Sequence, residues 1–298
     1  DARRAALADV DPPEPRPEDA LVAVRAASLN RDEVNNLSRA APGWRPGWDL
    51  AGEVVRSPAD RLGPEAGTRI VGLVLQGAWA EQVAVPRDWL APLPPDVTFE
   101  AASTLPVAGI TALRALRKGD QFPEKRVLVT GAAGGVGRFA VQLAALWGAT
   151  VTAVVGSEER GAGLADLGAT QVSVGMPSEG AFDLILESVG GESLARALDL
   201  LAHRGVVVSY GVSSGSSTTF DPGAFFRKGG TRLVGLLLFE DLRHYGSADL
   251  DLVQLVDLLH RRALDPQIGL DVSWHRASEA FEALLQRKVK GKAVIRID

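Results

Sequence analysis

The sequence predicts an α/β protein, with a doubly wound parallel-sheet domain in mid-chain and a mainly-β domain assembled from both chain ends. Three observations carry this. Residues 108–266 alternate short apolar runs with helical segments, as strands buried on both faces of a parallel sheet do. Residues 1–107 are rich in Pro, Gly and short β-like runs, the pattern of a strand-dominated domain. Residues 267–298 hold too little to fold alone, so they are expected to rejoin the first segment.

In the first segment, residues 21–24, 52–55 and 80–85 read as strands, and loops fall at Pro12-Pro13, Pro92 and Pro94-Pro95. In the middle segment strands are expected at 127–129, 150–155, 171–174, 182–186, 206–209 and 233–238, with helices at 136–147 and 158–167. The uncharged run 139–156 reaches 18 residues, the lower limit of a membrane span. Gln142, Gly148, Thr150 and Thr152 interrupt it, so it reads as a buried helix, a stop at Gly148 and a buried strand. The last segment predicts a strand at 268–272, a helix at 277–287 and a strand at 293–295.

Composition narrows the function. The chain has 298 residues, 46% of them hydrophobic and 23% charged, which excludes a disordered or fibrous protein. A net charge of −5 leaves no electrostatic footprint for nucleic acid. The absence of cysteine excludes a disulfide framework, a zinc finger, an iron–sulfur cluster and a thiolate nucleophile. It is compatible with a reducing compartment. No signal peptide is visible, and a cytoplasmic protein without a membrane anchor is expected.

The strongest chemical signal is residues 127–137, Val-Leu-Val-Thr-Gly-Ala-Ala-Gly-Gly-Val-Gly. A buried strand runs into a small-residue turn and then a helix, so backbone N–H groups can approach a pyrophosphate at the helix N-terminus. Ala133, Gly134, Gly135, Val136 and Gly137 are the candidate turn contacts. Gly134 permits close approach and Gly137 lets the helix pack on its strand; Ala132 replaces the first glycine of G-x-G-x-x-G. The alternative spelling Thr-Gly-x-x-x-Gly-x-Gly requires a Tyr-x-x-x-Lys pair, and Ser214 and Asp249 stand four residues after Tyr210 and Tyr245. That route is closed.

The end of the second strand meets the adenosine ribose, where NAD binders place a carboxylate. Here Val155 is followed by Gly156 and Ser157, with Arg160 close behind, a cation suited to a 2′-phosphate. NADPH is the favoured cofactor. Glu158 and Glu159 are the alternative, as ribose contacts for NADH.

These residues resemble the medium-chain dehydrogenase/reductase superfamily, in its zinc-free quinone oxidoreductase (zeta-crystallin-like) and enoyl reductase branch. The resemblance spans the chain through residues 24–30, 47–52, 101–112, 134–137, 187–190, 210–215 and 291–294. It implies a Rossmann domain at 108–266 and a GroES-like catalytic domain built from 1–107 and 267–298. It also implies a strand ahead of Ala6, so the chain looks clipped at its start. Zinc-dependent members bind metal through an early Cys and a Gly-His-Glu; here Cys is absent and the second motif reads Gly47-Trp48-Asp49, so no metal is expected.

Without zinc the resemblance implies hydride delivery from the nicotinamide to a quinone or to the C=C of an α,β-unsaturated carbonyl. It places Asn30 and Thr111 as polar contacts near the nicotinamide ribose and ring. Val189, Tyr210, Gly211, Ser213, Leu238 and Phe239 would line the pocket, with Lys292 near phosphate or ribose. Many relatives carry a Tyr a few residues past the Asn; here Asn35 and Asn36 stand there, and Asp32 is the nearest ionisable group. Trp44 and Trp48 are candidate substrate contacts or core. The run 233–239 is expected to be an edge strand that pairs across a homodimer. Gly211-Val212-Ser213-Ser214-Gly215 spells a hydrolase elbow, but a loop follows in place of a helix. A non-catalytic cofactor-binding protein on the same fold is the alternative reading.

Overall fold

The computed structural model describes residues 5–119 and 124–298. In chain order the first segment forms β1 (Asp19–Leu29), α1 (Arg31–Asn36), β2 (Asp49–Arg56), β3 (Arg69–Leu73), β4 (Gln82–Pro86), β5 (Leu90–Pro92), α2 (Phe99–Ser103) and α3 (Pro106–Arg117). The middle holds β6 (Arg126–Val129), α4 (Gly135–Leu146), β7 (Thr150–Val155), α5 (Glu158–Gly161), β8 (Gln171–Val174) and β9 (Phe182–Glu187). It continues with α6 (Gly191–Asp199), β10 (Leu201–Ser209), α7 (Pro222–Arg227) and β11 (Arg232–Gly235). Last come α8 (Leu238–Tyr245), α9 (Asp249–His260), β12 (Ile268–Ser273), α10 (Ala277–Leu285) and β13 (Lys292–Arg296).

The chain divides into two units, one of residues 1–110 with 239–298 and one of residues 111–238. In the second unit six strands pair in the order β11-β10-β9-β6-β7-β8, all parallel. Numbered along the unit this is 3-2-1-4-5-6, the doubly wound Rossmann order, whose direction reverses between β6 and β9. Its central strands β6 and β9 are continuous apolar runs because both their faces are covered: Val127, Leu128, Val129, Leu184, Ile185 and Leu186 are all fully buried.

The first unit is a mainly antiparallel sheet, β12-β13-β1-β2-β3-β5, with β4 also on β1. β13 pairs antiparallel with β1, Leu29 opposite Ala293, so the last strand enters the sheet beside the first. This is the GroES-like domain made from both chain ends. Val22, Val24, Leu50, Ile70, Phe281, Leu284 and Ile295 share its core.

Three expectations are corrected. The units divide at 110/111 and 238/239, where the sequence suggested 107/108 and 266/267. Residues 239–266 belong to the first unit because α9 buries Leu252, Leu255 and Val256 and its entry is tied by the Ala248 N–H to the Asp88 carbonyl at 2.8 Å. The helix expected at 158–167 stops at Gly161: Ala162 leaves the helical region with ψ 131° and Gly163 takes φ +79°. The expected strand 233–238 ends at Gly235, and Leu238 opens α8. Among the described residues, no helix is long and apolar enough to cross a membrane.

Candidate functional site: a dinucleotide turn and a buried polar cluster

In the second unit, residues 130–134 carry the chain from β6 into α4. Gly131 takes φ +58°, and a Cβ there would stand 2.6 Å from Ser188 Oγ. Gly137 is buried against the turn; a Cβ on it would meet the Gly131 carbonyl oxygen at 2.5 Å and Ala132 Cα at 2.6 Å. Ala133 is likewise buried, at 2% exposure. These residues serve packing, and Gly134, Gly135 and Val136 remain half-exposed. As first-turn residues of a 12-residue helix, Gly135 and Val136 have N–H groups with no helical partner. They are donors at the positive end of α4, open to an anion.

A carboxylate holds this turn against its neighbours. Glu187 ends β9 fully buried and accepts from Thr130 Oγ1 (3.2 Å), Ser193 Oγ (2.9 Å) and the N–H groups of Val189 (2.9 Å) and Gly190 (3.0 Å). Thr130 Oγ1 in turn accepts from the Ser188 N–H at 2.9 Å. The Ser213 and Ser214 N–H groups reach the carbonyls of Ser188 and Val189 at 3.1 and 2.9 Å. The turns after β6, β9 and β10 are thereby laced side by side at the carboxyl ends of the strands, over the switch point where such sheets take ligands. The sequence reading did not find Glu187; its signal was a carboxylate closing an apolar strand.

Beyond β7, Gly156 and Ser157 are exposed, and a Cβ on Gly156 would meet nothing within 4 Å. No carboxylate stands at that tip. Glu158 and Glu159 are exposed, and Arg160 is half-buried and engaged within the protein. Val189 and Gly211 are half-buried, Ser213 is exposed and Leu238 is buried. The Tyr210 hydroxyl is buried without a hydrogen-bond partner, and burial pushes it above the ordinary phenol range. Thr111 lies in α3 at 7% exposure.

The first unit brings together residues far apart in sequence. Lys292 on β13 is 3% exposed, and its ammonium donates to the Leu29 carbonyl (3.1 Å), Asn30 Oδ1 (2.7 Å) and Asp49 Oδ2 (3.2 Å). Asp49, fully buried, also accepts from Ser28 Oγ (2.7 Å), Asn30 Nδ2 (2.9 Å) and the Val107 N–H (2.9 Å). Asn30 closes the set by donating its backbone N–H (2.7 Å) and Nδ2 (3.0 Å) to Glu33 Oε2. Both Asn30 amide hydrogens are thus spent, and the capping box turns its side chain to the Glu33 backbone N–H as well.

Asp32 is exposed, and Glu33, one residue on, takes the buried place expected of an ionisable neighbour of Asn30. The helical turn of α1 decides this, since residues 30, 33 and 34 face inward. The Asn-x-x-Glu spacing of a capping box was the signal that could have found it. Asn35 and Asn36 are exposed. Trp44 and Trp48 are half-buried, and Trp48 meets Phe239 edge-on with ring centroids 5.1 Å apart. Among the described residues, no group of three His, Asp or Glu side chains is placed to hold a metal ion.

A parallel nucleotide-binding unit and a GroES-like unit joined in one chain define a class of two-domain dehydrogenases. Residues 16–95 match the alcohol dehydrogenase GroES-like domain family, and residues 135–254 match the zinc-binding dehydrogenase family. A Bacillus subtilis protein, YhfP, described as a candidate quinone oxidoreductase, is 30% identical over 84% of this chain and 80% of its own length. Acrylyl-CoA reductase AcuI of Ruegeria pomeroyi is 34% identical over 57% of each chain. The quinone oxidoreductase of Coxiella burnetii superposes with a TM-score of 0.82 at 27% identity, covering 98% of this chain and 95% of its own. A mycobacterial structure complexed with NADPH shares the fold, with a TM-score of 0.85 at 24% identity over 97% of this chain and 94% of that one. The chain belongs to the medium-chain dehydrogenase/reductase superfamily, in its quinone oxidoreductase and enoyl reductase branch, and is an oxidoreductase.

Proposed function

We propose that the protein is an NADPH-dependent, metal-free reductase of quinones or of the C=C bond of α,β-unsaturated carbonyls. The observation that carries this reading is the open helix start at Gly134, Gly135 and Val136, set over the switch point and followed at β7 by a tip without a carboxylate. The first-turn amides would hold the pyrophosphate. Gly156 and Ser157 leave room at the ribose, and Arg160 supplies the cation for a 2′-phosphate. Val189, Gly211 and Ser213 would border the ring.

When bound, the reduced nicotinamide supplies a hydride to the quinone or to the β-carbon of the enone, and a proton from water completes the product. The residues' part is to orient the substrate against it, the main contribution such a site makes. Trp44 and Trp48 offer flat apolar surface to a planar substrate. Asp49 is committed to Lys292, Ser28, Asn30 and the Val107 amide, so it has no capacity for a metal. We further read the chain as a cytoplasmic homodimer paired through β11, whose free edge carries the exposed Leu233.

The test is titration with NADPH and, separately, NADH, followed by tryptophan fluorescence, then turnover on small quinones and enones. Tight NADPH with weak NADH and measurable turnover is expected. NADH preference would move the ribose contact to Glu158 or Glu159. Binding without turnover would favour a regulatory protein, and binding of neither cofactor would overturn the reading.

A further inference from the structure

The polar cluster of the first unit carries a charge imbalance. One ammonium, Lys292, stands with two carboxyls, Asp49 and Glu33, and none of the three is more than 3% exposed. The three Lys292 donors go to Leu29, Asn30 and Asp49, and none reaches Glu33. Asp49 collects four donors on its two oxygens. Glu33 collects two, both from Asn30 and both on Oε2; Oε1 is buried with no hydrogen-bond partner. A negative charge is far costlier on such an oxygen than a neutral acid is.

Burial, with the charge of Asp49 adding and that of Lys292 opposing, pushes the Glu33 carboxyl up to about 8. The remaining charged groups around it point elsewhere. On its own helix, Arg31 donates to the Leu284 carbonyl and Asp32 is exposed. On α10, which packs against α1, Glu279 pairs with Arg276 at the surface and Glu282 is exposed.

We propose that Glu33 is a positioning residue that, as a neutral acid, fixes the Asn30 backbone and amide at the start of α1. Asn30 is held on one side by an ion pair and on the other by an acid that keeps its proton. Loss of that proton sets a second buried negative charge beside Asp49, a cost that the two Asn30 bonds offset only in part. The kinetic side of the proposal rests on the reductase reading; its stability side does not.

The experiment compares wild type, Glu33→Gln and Glu33→Ala, reading unfolding midpoints from pH 5 to 9.5 and the pH profile of NADPH-dependent quinone reduction. Gln keeps an acceptor for Asn30 and carries no charge. The folded carboxyl binds its proton more tightly than the unfolded one, so wild-type stability is expected to fall as pH rises from about 4.5 to 8 and to level off above. Glu33→Gln is expected to lack that fall. Wild-type kcat/KM is expected to drop about tenfold per pH unit above 8, a limb absent in Glu33→Gln. Glu33→Ala is expected to raise the KM for NADPH about tenfold at pH 7, and Gln to restore it. A Glu33→Gln protein that keeps both the stability fall and the alkaline limb of kcat/KM, or that is as defective at pH 7 as Glu33→Ala, overturns the proposal. If no variant turns over, the reductase reading fails, and the unfolding profiles still decide the proton state of Glu33.

Discussion

The turn between β6 and α4 and the cluster around Lys292 are built on opposite plans. The turn is a contiguous run of backbone, its donors are main-chain amides, and its side chains matter chiefly by being small. The cluster is made of side chains from β1, α1, β2 and β13, and one of its hydrogen bonds joins residues 263 apart in sequence. The first plan tolerates no added atom. The second tolerates no missing charge. A site written in contiguous backbone shows itself in sequence, whereas a site assembled by strand pairing does not.

Substitutions can break this contrast. Gly137→Val should do most, because its Cβ would overlap backbone at 2.5 Å and neither helix nor turn can give way. We expect a loss of about 5 kcal/mol or more, or an unfolded second unit, read by thermal melts, together with loss of cofactor binding. Lys292→Met should come next, since it strands the buried Asp49 carboxylate without its cation: about 3–5 kcal/mol in urea unfolding at pH 7. Arg160→Ala should weaken NADPH about 10–100-fold and NADH less than twofold, by fluorescence titration; equal effects would remove Arg160 from the phosphate site. Asp32→Asn should be smallest, within about 0.5 kcal/mol and without effect on turnover, because the side chain faces solvent.

Much of the second unit was legible. The strand expected at 150–155 is β7 residue for residue, and the helix expected at 136–147 is α4 shifted by one. Alternation of apolar runs and a glycine turn are local patterns, and local patterns decide a parallel sheet. Composition failed to see what single backbone angles did, as at Gly163, where the second helix of the unit ends early. It also failed where an element's partner lay elsewhere. Residues 239–266 read as one more piece of the alternating pattern, yet α9 closes on residues near 88 and 96: Ala248 bonds Asp88, and His260 bonds Asp96 at 2.9 Å. Beside Asn30 the sequence offered Asp32 as the nearest ionisable group, and the structure exposes Asp32 and buries Glu33. The choice between Asp32 and Glu33 depends on which way a six-residue helix faces, and α10 packs against that helix.

The pairing of β13 with β1 also sets an order of assembly. Residues 111–238 form one uninterrupted stretch, so the nucleotide-binding unit can close as soon as that stretch has been synthesised. The other unit begins more than a hundred residues earlier and has to wait. Until β13 arrives, residues 26–29 of β1 are without the strand they pair with, and Asp49 is without its cation. The segment made first is thus finished last, and Lys292 is the residue that closes it.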